Sequence, residues 1–310
     1  MLAARSVRSR LLRATGLVHP EVIIFDVTHR CNSRCVGCAY REPEANELPW
    51  PRWVGLAKEA RELGFRELML TGGEPLAHPD IALLLPALAQ HLPVSLITNG
   101  LALAKHADLV RRTTTHTFVS WDAASEEGYE RIRGVRGFGA VRSGVRALAG
   151  HHAHARVTVW AENVRELHAI RLAAEAAGFT EMSLLAADTT SGGFGPRLES
   201  RGTPPQPSDI PALAAFLESV RADPFVVMSD HARERLLLLA SGGQGNPRCN
   251  APWNSGVVDP TGAWRHCFFL PTAAHTREGL RGTLRTTRPE RLALHPATNP
   301  TCARCVCWRG

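Results

Sequence analysis

Val22-Ile23-Ile24-Phe25-Asp26, followed closely by Cys31-Asn32-Ser33-Arg34-Cys35-Val36-Gly37-Cys38, is the stretch from which the rest of this chain can be read. The apolar run ending at Asp26 has the pattern of a short strand buried on both faces, as in a parallel sheet. The cysteines behind it are spaced C-x3-C-x2-C. Ligands this close can wrap one inorganic cluster from a single loop. The next cysteine is Cys249. Three thiolates on a four-iron cube leave one iron open to a substrate or cofactor, much as a catalytic zinc keeps one open position. A zinc site completed by His29 is the alternative. The three-residue gap and the place behind a first strand argue against it.

Outward from this loop the pattern alternates. Trp53, Leu56, Ala57, Ala60 and Leu63 recur at helical spacing, Gly64 ends them, and a strand over Glu67 to Leu70 follows. Further strands are expected at Val94 to Ile97, Thr117 to Ser120, Val157 to Trp160 and Met182 to Leu185. Helices are expected between them, at Ile81 to Ala89, Leu101 to Arg111, Val141 to Leu148 and Leu167 to Ala177. Gly-Phe-x-Glu precedes a strand twice, at Gly64 and at Gly178. The expectation is an α/β fold, a partial (β/α)6 barrel, with ligands gathered at the carboxyl ends of its strands. Residues 191–245 read as a Gly- and Pro-rich linker and then one helical stretch over Pro211 to Leu239. Residues 246–310 hold the second cysteine set, Cys249, Cys267, Cys302, Cys305 and Cys307. Asp259-Pro260-Thr261-Gly262 carries turn chemistry that would close a hairpin there.

Motifs fall at the predicted strand ends. Thr71-Gly72-Gly73-Glu74-Pro75 follows the second strand, where paired glycines let the backbone come close to a ligand and Glu74 offers an acceptor to an ammonium group. Thr98-Asn99-Gly100 ends the third and Ser120-Trp121-Asp122 the fourth. Arg131-Ile132-Arg133-Gly134 lies on a following helix, and Asn163 just past the fifth strand is a further contact candidate with a capping role as its alternative. Asp188, Thr189, Thr190 and Glu162 could reach a substrate, and each could equally be a loop residue. His151, His152 and His154 read as a solvated turn at the opposite face. Trp121 and Trp160 read as core packing.

Taken together, the cysteine loop, GGEP, TNG and S-x-D resemble the radical S-adenosylmethionine (SAM) superfamily over Val22 to Asp188. The resemblance implies a [4Fe-4S] cluster on Cys31, Cys35 and Cys38 whose open iron chelates SAM. It implies SAM contacts from Gly72, Gly73, Glu74, Pro75, Asn99, Ser120, Asp122 and Asn163, and a pairing of Arg133 with the SAM carboxylate. The family often has an aromatic residue before the third cysteine. Here that residue is Gly37, and Tyr40 is expected to supply the adenine contact. The second cysteine set resembles the family's SPASM and twitch extensions, a small C-terminal α+β unit. The twitch form implies a second, auxiliary [4Fe-4S] cluster on Cys249, Cys267, Cys302 and Cys305. Cys307 is left over, as a spare thiol or a hydrogen-atom donor.

This organisation gives a basic N-terminal extension at 1–20, a radical SAM core at 21–190, a linker and helical segment at 191–245, and the auxiliary-cluster unit at 246–310. With 44% hydrophobic and 21% charged residues among 310, the chain is globular, and no apolar run is long enough to span a bilayer. The net charge of +7 comes from arginines scattered among acids, which speaks against nucleic acid as partner. Close cysteine spacings without a secretory signal suggest metal binding in a reducing compartment, hence the cytoplasm. A non-catalytic iron–sulfur or zinc protein would not need the SAM motifs. Within the enzyme class, an auxiliary cluster that accepts an electron suits oxidation of a small molecule such as a sugar or aminocyclitol, with flavodoxin or ferredoxin as electron donor. Epimerisation with Cys307 as hydrogen donor, and maturation of a ribosomal peptide, are the other readings. The short stretch before the first strand weighs against the peptide.

Overall fold

A computed structural model describes residues 21–187, 202–243 and 251–293. Six strands run parallel in chain order: β1 (Val22–Asp26), β2 (Glu67–Thr71), β3 (Val94–Thr98), β4 (His116–Ser120), β5 (Ala153–Val159) and β6 (Glu181–Ala186). Helices α1 (Trp50–Glu62), α2 (Ile81–Ala89), α3 (Leu103–Thr113), α4 (Glu126–Arg133), α5 (Phe138–Ala147) and α6 (Leu167–Ala177) connect them. The sheet does not close on itself, so the architecture is the expected partial barrel.

The two faces of the sheet differ, and that difference makes the site. Ile23, Phe25, Leu68, Leu70, Leu96, Val119, Val157 and Met182 are fully buried beneath helices. Their alternates Ile24, Thr71, Ile97, Phe118, Ser120, Arg156, Thr158, Ser183 and Leu185 stay partly exposed on the concave face. Side chains alternate across a strand, so one face is core and the other lines an open hollow.

The one expected helix over Pro211 to Leu239 is two, α7 (Ile210–Ser219) and α8 (Asp230–Ala240). Pro224 in the interval cannot continue a helix. The freed segment lies along the edge of β6 instead: Met182 N donates to the Phe225 carbonyl at 2.7 Å and Val227 N to the Met182 carbonyl at 2.8 Å. An otherwise bare sheet edge is thereby covered.

The hairpin expected near Asp259 forms between β7 (Ser255–Val258) and β8 (Ala263–Arg265), and β9 (Ala274–His275) follows. Asp259 Oδ1 accepts from the backbone nitrogens of Thr261 and Ala263, both at 2.9 Å. Gly262 takes φ +84°, a left-handed value that suits glycine. β7 pairs in parallel with β1, Ile23 against Gly256 and Phe25 against Val258. The described part of 246–310 thus continues the core's own sheet, in the order β6-β5-β4-β3-β2-β1-β7-β8-β9. Among the described residues no helix is long and apolar enough to cross a membrane.

Candidate functional site

Helix α4 explains where the cysteine loop sits. Ser125 caps its N-terminus by accepting from Gly128 N, Glu126 and Glu127 fill the first turn, and Arg131 and Arg133 the last. Each charge suits the helix dipole at its end. Gly134, at φ +67°, ends the helix. The cysteine loop then caps the exposed carbonyls: Arg34 N donates to Arg133 O at 2.9 Å and Val36 N to Ile132 O at 3.0 Å. The Ser33 hydroxyl also donates to Arg133 O at 2.9 Å. From the other side, Gly73 N donates to Thr28 O at 2.6 Å and Glu74 N to Arg30 O at 2.9 Å. The loop is clamped between the end of α4 and the GGEP turn.

All three cysteines are partly exposed, and hydrogen-bond donors reach their sulfurs. Ser33 N points at Cys31 Sγ at 3.4 Å and Asn99 Nδ2 at 3.8 Å. Arg133 Nη1 lies 3.6 Å from Cys35 Sγ. The Ser33 hydroxyl, whose proton goes to Arg133 O, stands 3.3 Å from the same sulfur. A neutral thiol is a poor acceptor, so this donor set fits thiolates better than free cysteines. Burial pushes Cys31 up to about 11 and Cys38 up to about 12. The thiolate form therefore comes with metal, whose binding displaces the protons. His29 does not complete a zinc shell: Nε2 lies 3.3 Å from Asp26 Oδ2 and Nδ1 2.8 Å from Glu44 Oε1. The residues present fit a three-cysteine iron–sulfur cluster.

The other motif residues are brought together, though several act differently from the sequence expectation. A Cβ on Gly72 would stand 2.6 Å from Thr28 O, and one on Gly73 2.6 Å from Arg30 O. These glycines let backbone approach backbone. Glu74 is fully enclosed. Its carboxylate accepts from Thr98 Oγ1 at 2.8 Å, Asn99 N at 2.6 Å and Leu76 N at 3.0 Å, so in this structure it ties the GGEP turn to the TNG turn. Pro75 opens a buried single turn directly after it. Ser120 stands at the end of β4 on the concave face, paired in register with Arg156.

Asp122 is buried, ion-paired with Arg133, and accepts from Thr158 N at 2.7 Å. Burial works against both charges. On the guanidinium, the charges of Asp122 and Cys35 outweigh it and raise the pKa further. On Asp122, burial wins and the pKa is raised.

Asn163 takes the backbone-serving role that was the alternative to a ligand contact. It is 1% exposed, its Nδ2 donates to Asp122 O and Thr158 O, both at 2.9 Å, and its Oδ1 accepts from Trp160 N at 2.9 Å. The side chain serves the backbone of the turn after β5. Tyr40 is also enclosed, with its ring stacked on His29 at 3.9 Å between centroids. Trp160 is not ordinary core: its ring packs on the cysteine loop, where a Cβ on Gly37 would meet it at 2.4 Å. Trp121 is core, packed on Phe138 and Phe179. His151 and His154 are not a solvated turn, because β5 begins earlier than expected. His154 faces Glu181 and Ser183 at 2.6 Å each, and His151 Nε2 lies 3.0 Å from Thr117 Oγ1.

Sequence reasoning missed Arg156, which stands on the concave face with its guanidinium 4.9 Å from the Phe118 ring centroid. Its alternation with Val157 was the available signal, hidden by placing the start of β5 four residues late. In the second cysteine set Cys267 is described and half-buried. Cys249, Cys302, Cys305 and Cys307, and with them the auxiliary cluster, lie outside the described residues, as do Asp188, Thr189 and Thr190.

Comparison with known proteins agrees with this geometry. The family model of the radical SAM superfamily matches residues 25–170. The chain is 38% identical over 112 residues to the protein named probable GTP 3′,8-cyclase of Archaeoglobus fulgidus, covering 35% of this chain and 38% of that one. It is 34% identical over 124 residues to the PqqA peptide cyclase of Gluconobacter oxydans, covering 38% of this chain and 35% of that one. These matches span little more than a third of either relative. Among solved structures, SuiB of Streptococcus suis bound to S-adenosylmethionine superimposes with a TM-score of 0.68 at 15% identity, over 96% of this chain and 75% of that one. That likeness shows the fold. The matching segment 25–170, which holds the cysteine loop and the GGEP turn at the strand ends, is thus similar to the radical SAM superfamily.

Proposed function

We propose that this protein is a radical SAM enzyme that modifies a peptide. The observation that carries the first half is the cysteine loop, clamped between α4 and the GGEP turn with hydrogen-bond donors aimed at its sulfurs. When bound, the cluster and SAM supply a 5′-deoxyadenosyl radical that abstracts a hydrogen atom from unactivated carbon. The chain's own residues do the rest. Cys31, Cys35 and Cys38 would hold the iron. Asn99, Ser33 and Arg133 bear on the sulfurs and keep the loop in place. Glu74 joins the GGEP and TNG turns. The partly exposed concave face of β1 to β6 is where a substrate would be held.

Two relatives support a peptide substrate: the PqqA peptide cyclase, and SuiB, which has also been solved bound to the precursor peptide SuiA. The expectation of a sugar or aminocyclitol oxidoreductase rests on the C-terminal cysteines alone. An auxiliary cluster on Cys249, Cys267, Cys302 and Cys305 is compatible with either substrate.

The test begins with anaerobic reconstitution of the full chain with iron and sulfide. Wild type should form 5′-deoxyadenosine from SAM and dithionite, and the Cys31→Ala/Cys35→Ala/Cys38→Ala variant should form none while losing about four irons. Short synthetic peptides should then raise 5′-deoxyadenosine formation above the unstimulated rate, and aminocyclitols should not. Stimulation by the aminocyclitol alone would restore the oxidoreductase reading. Absence of cubane iron in wild type would overturn the whole proposal.

A further inference from the structure

Helix α4 does more than receive the cysteine loop. Arg133, in its last turn, places Nη1 3.6 Å from Cys35 Sγ while Nη2 is ion-paired with Asp122. Asp122 is in turn fixed by Thr158 N at 2.7 Å, and its own carbonyl receives Asn163 Nδ2 at 2.9 Å. The guanidinium is therefore held on the thiol by a buried anchor rooted in β5. Its side chain is only 12% exposed, so its charge acts through protein rather than through water. Its Nε is buried with no hydrogen-bond partner among the described residues.

One helical turn earlier stands Tyr129, i, i+4 to Arg133 and therefore on the same face of α4. Tyr129 is fully buried, and its hydroxyl has no hydrogen-bond partner among the described residues. An orphaned buried O–H is costly unless a bound group accepts from it. The cysteine loop caps the carbonyls of Ile132 and Arg133 at the end of this same helix.

Resting on the radical SAM reading, we propose that Arg133 and Tyr129 are positioning residues that stabilise the reduced state of the cluster held by Cys31, Cys35 and Cys38. The reduction is a single electron from a low-potential donor of the flavodoxin or ferredoxin class. No proton moves, and the cluster becomes more negative by one charge. A fixed cation against one cysteine sulfur, and a hydroxyl on the same face, both favour that added charge. Hydrogen bonds to cluster sulfurs, together with net charge and exposure, are what set such potentials. This assigns Arg133 to the cluster, where the resemblance assigns it to the SAM carboxylate.

The decisive measurement is an EPR-monitored redox titration of the reconstituted full-length protein without SAM. The signal absent from the Cys31→Ala/Cys35→Ala/Cys38→Ala variant is the one followed. Arg133→Gln should make reduction about tenfold harder, a fall of about 59 mV for one electron. Arg133→Lys should shift it less, and Tyr129→Phe should shift it in the same direction while keeping the ring packing. Should Arg133→Gln fail to load iron, the Lys and Phe variants carry the test. Full iron loading with all three potentials equal to wild type overturns the inference. So does an unchanged potential accompanied by tenfold weaker SAM binding, which would return Arg133 to the carboxylate. A wild-type protein with no loop-dependent signal instead defeats the functional reading on which this rests.

Discussion

A Cβ at Gly134 would stand 2.2 Å from the Arg34 carbonyl oxygen, at a backbone φ of +67°. Here a single hydrogen atom separates a docked cysteine loop from a displaced one. Gly134→Ala should lower stability by at least about 1 kcal/mol from the left-handed backbone alone, and more from the collision. It should also lower iron content after reconstitution. Gly55→Ala is the control. Gly55 lies inside α1 with nothing within 4 Å of an added Cβ, so the change should gain about 0.5–1 kcal/mol. Urea unfolding of both variants checks the pair, and equal destabilisation would contradict this account of the loop. The identities of such residues were legible in the sequence, but their jobs were not. Glu74 and Asn163 look like ligand contacts when read along the chain. In the fold they are hydrogen-bonded by the protein itself, because each lies where two turns meet.

The turn after β5 illustrates how elements depend on one another. Trp160 lies against both Gly37 of the cysteine loop and Gly202, where added Cβ atoms would meet its ring at 2.4 and 2.7 Å. Gly37→Ala should therefore destabilise strongly in wild type and only weakly beside Trp160→Leu, giving a coupling of about 0.5–3 kcal/mol in a double-mutant cycle. Additive effects would show that the ring yields. At the opposite end of the sheet, His151 and His154 have pKa values below the ordinary 6.5, chiefly because burial disfavours their charge. Glu181 pulls His154 the other way without reversing it. Below pH 6.5 the unfolded chain takes up protons that the folded chain refuses, so stability is present above that pH and lost below it. The melting temperature should fall from pH 7 toward pH 5, and His151→Gln or His154→Gln should flatten that slope. A slope unchanged in both variants would assign it to other groups.

For the molecule as a whole, the consequence lies in the pairing of β1. That strand has β2 on one side and β7 on the other, so the C-terminal hairpin and the cysteine loop share one sheet. A chain ended at residue 245 should expose the edge of β1 and aggregate on gel filtration, whereas a free-standing C-terminal unit would leave a monodisperse core. The sequence by itself determined the parallel α/β order, five of the six core strands to within one residue at either end, the cysteine loop and the GGEP, TNG and S-x-D turns. These are local: apolar runs, helical periods, cysteine spacing and turn chemistry all act over a few neighbouring residues. Only the tertiary structure decided that Gly72 and Gly73 meet the backbone of residues 28–30, that Arg133 bears on Cys35, and that β7 joins β1. Contacts between residues far apart along the chain depend on how strands stack and how the sheet curves, and no periodicity along the chain records which side chains that brings together.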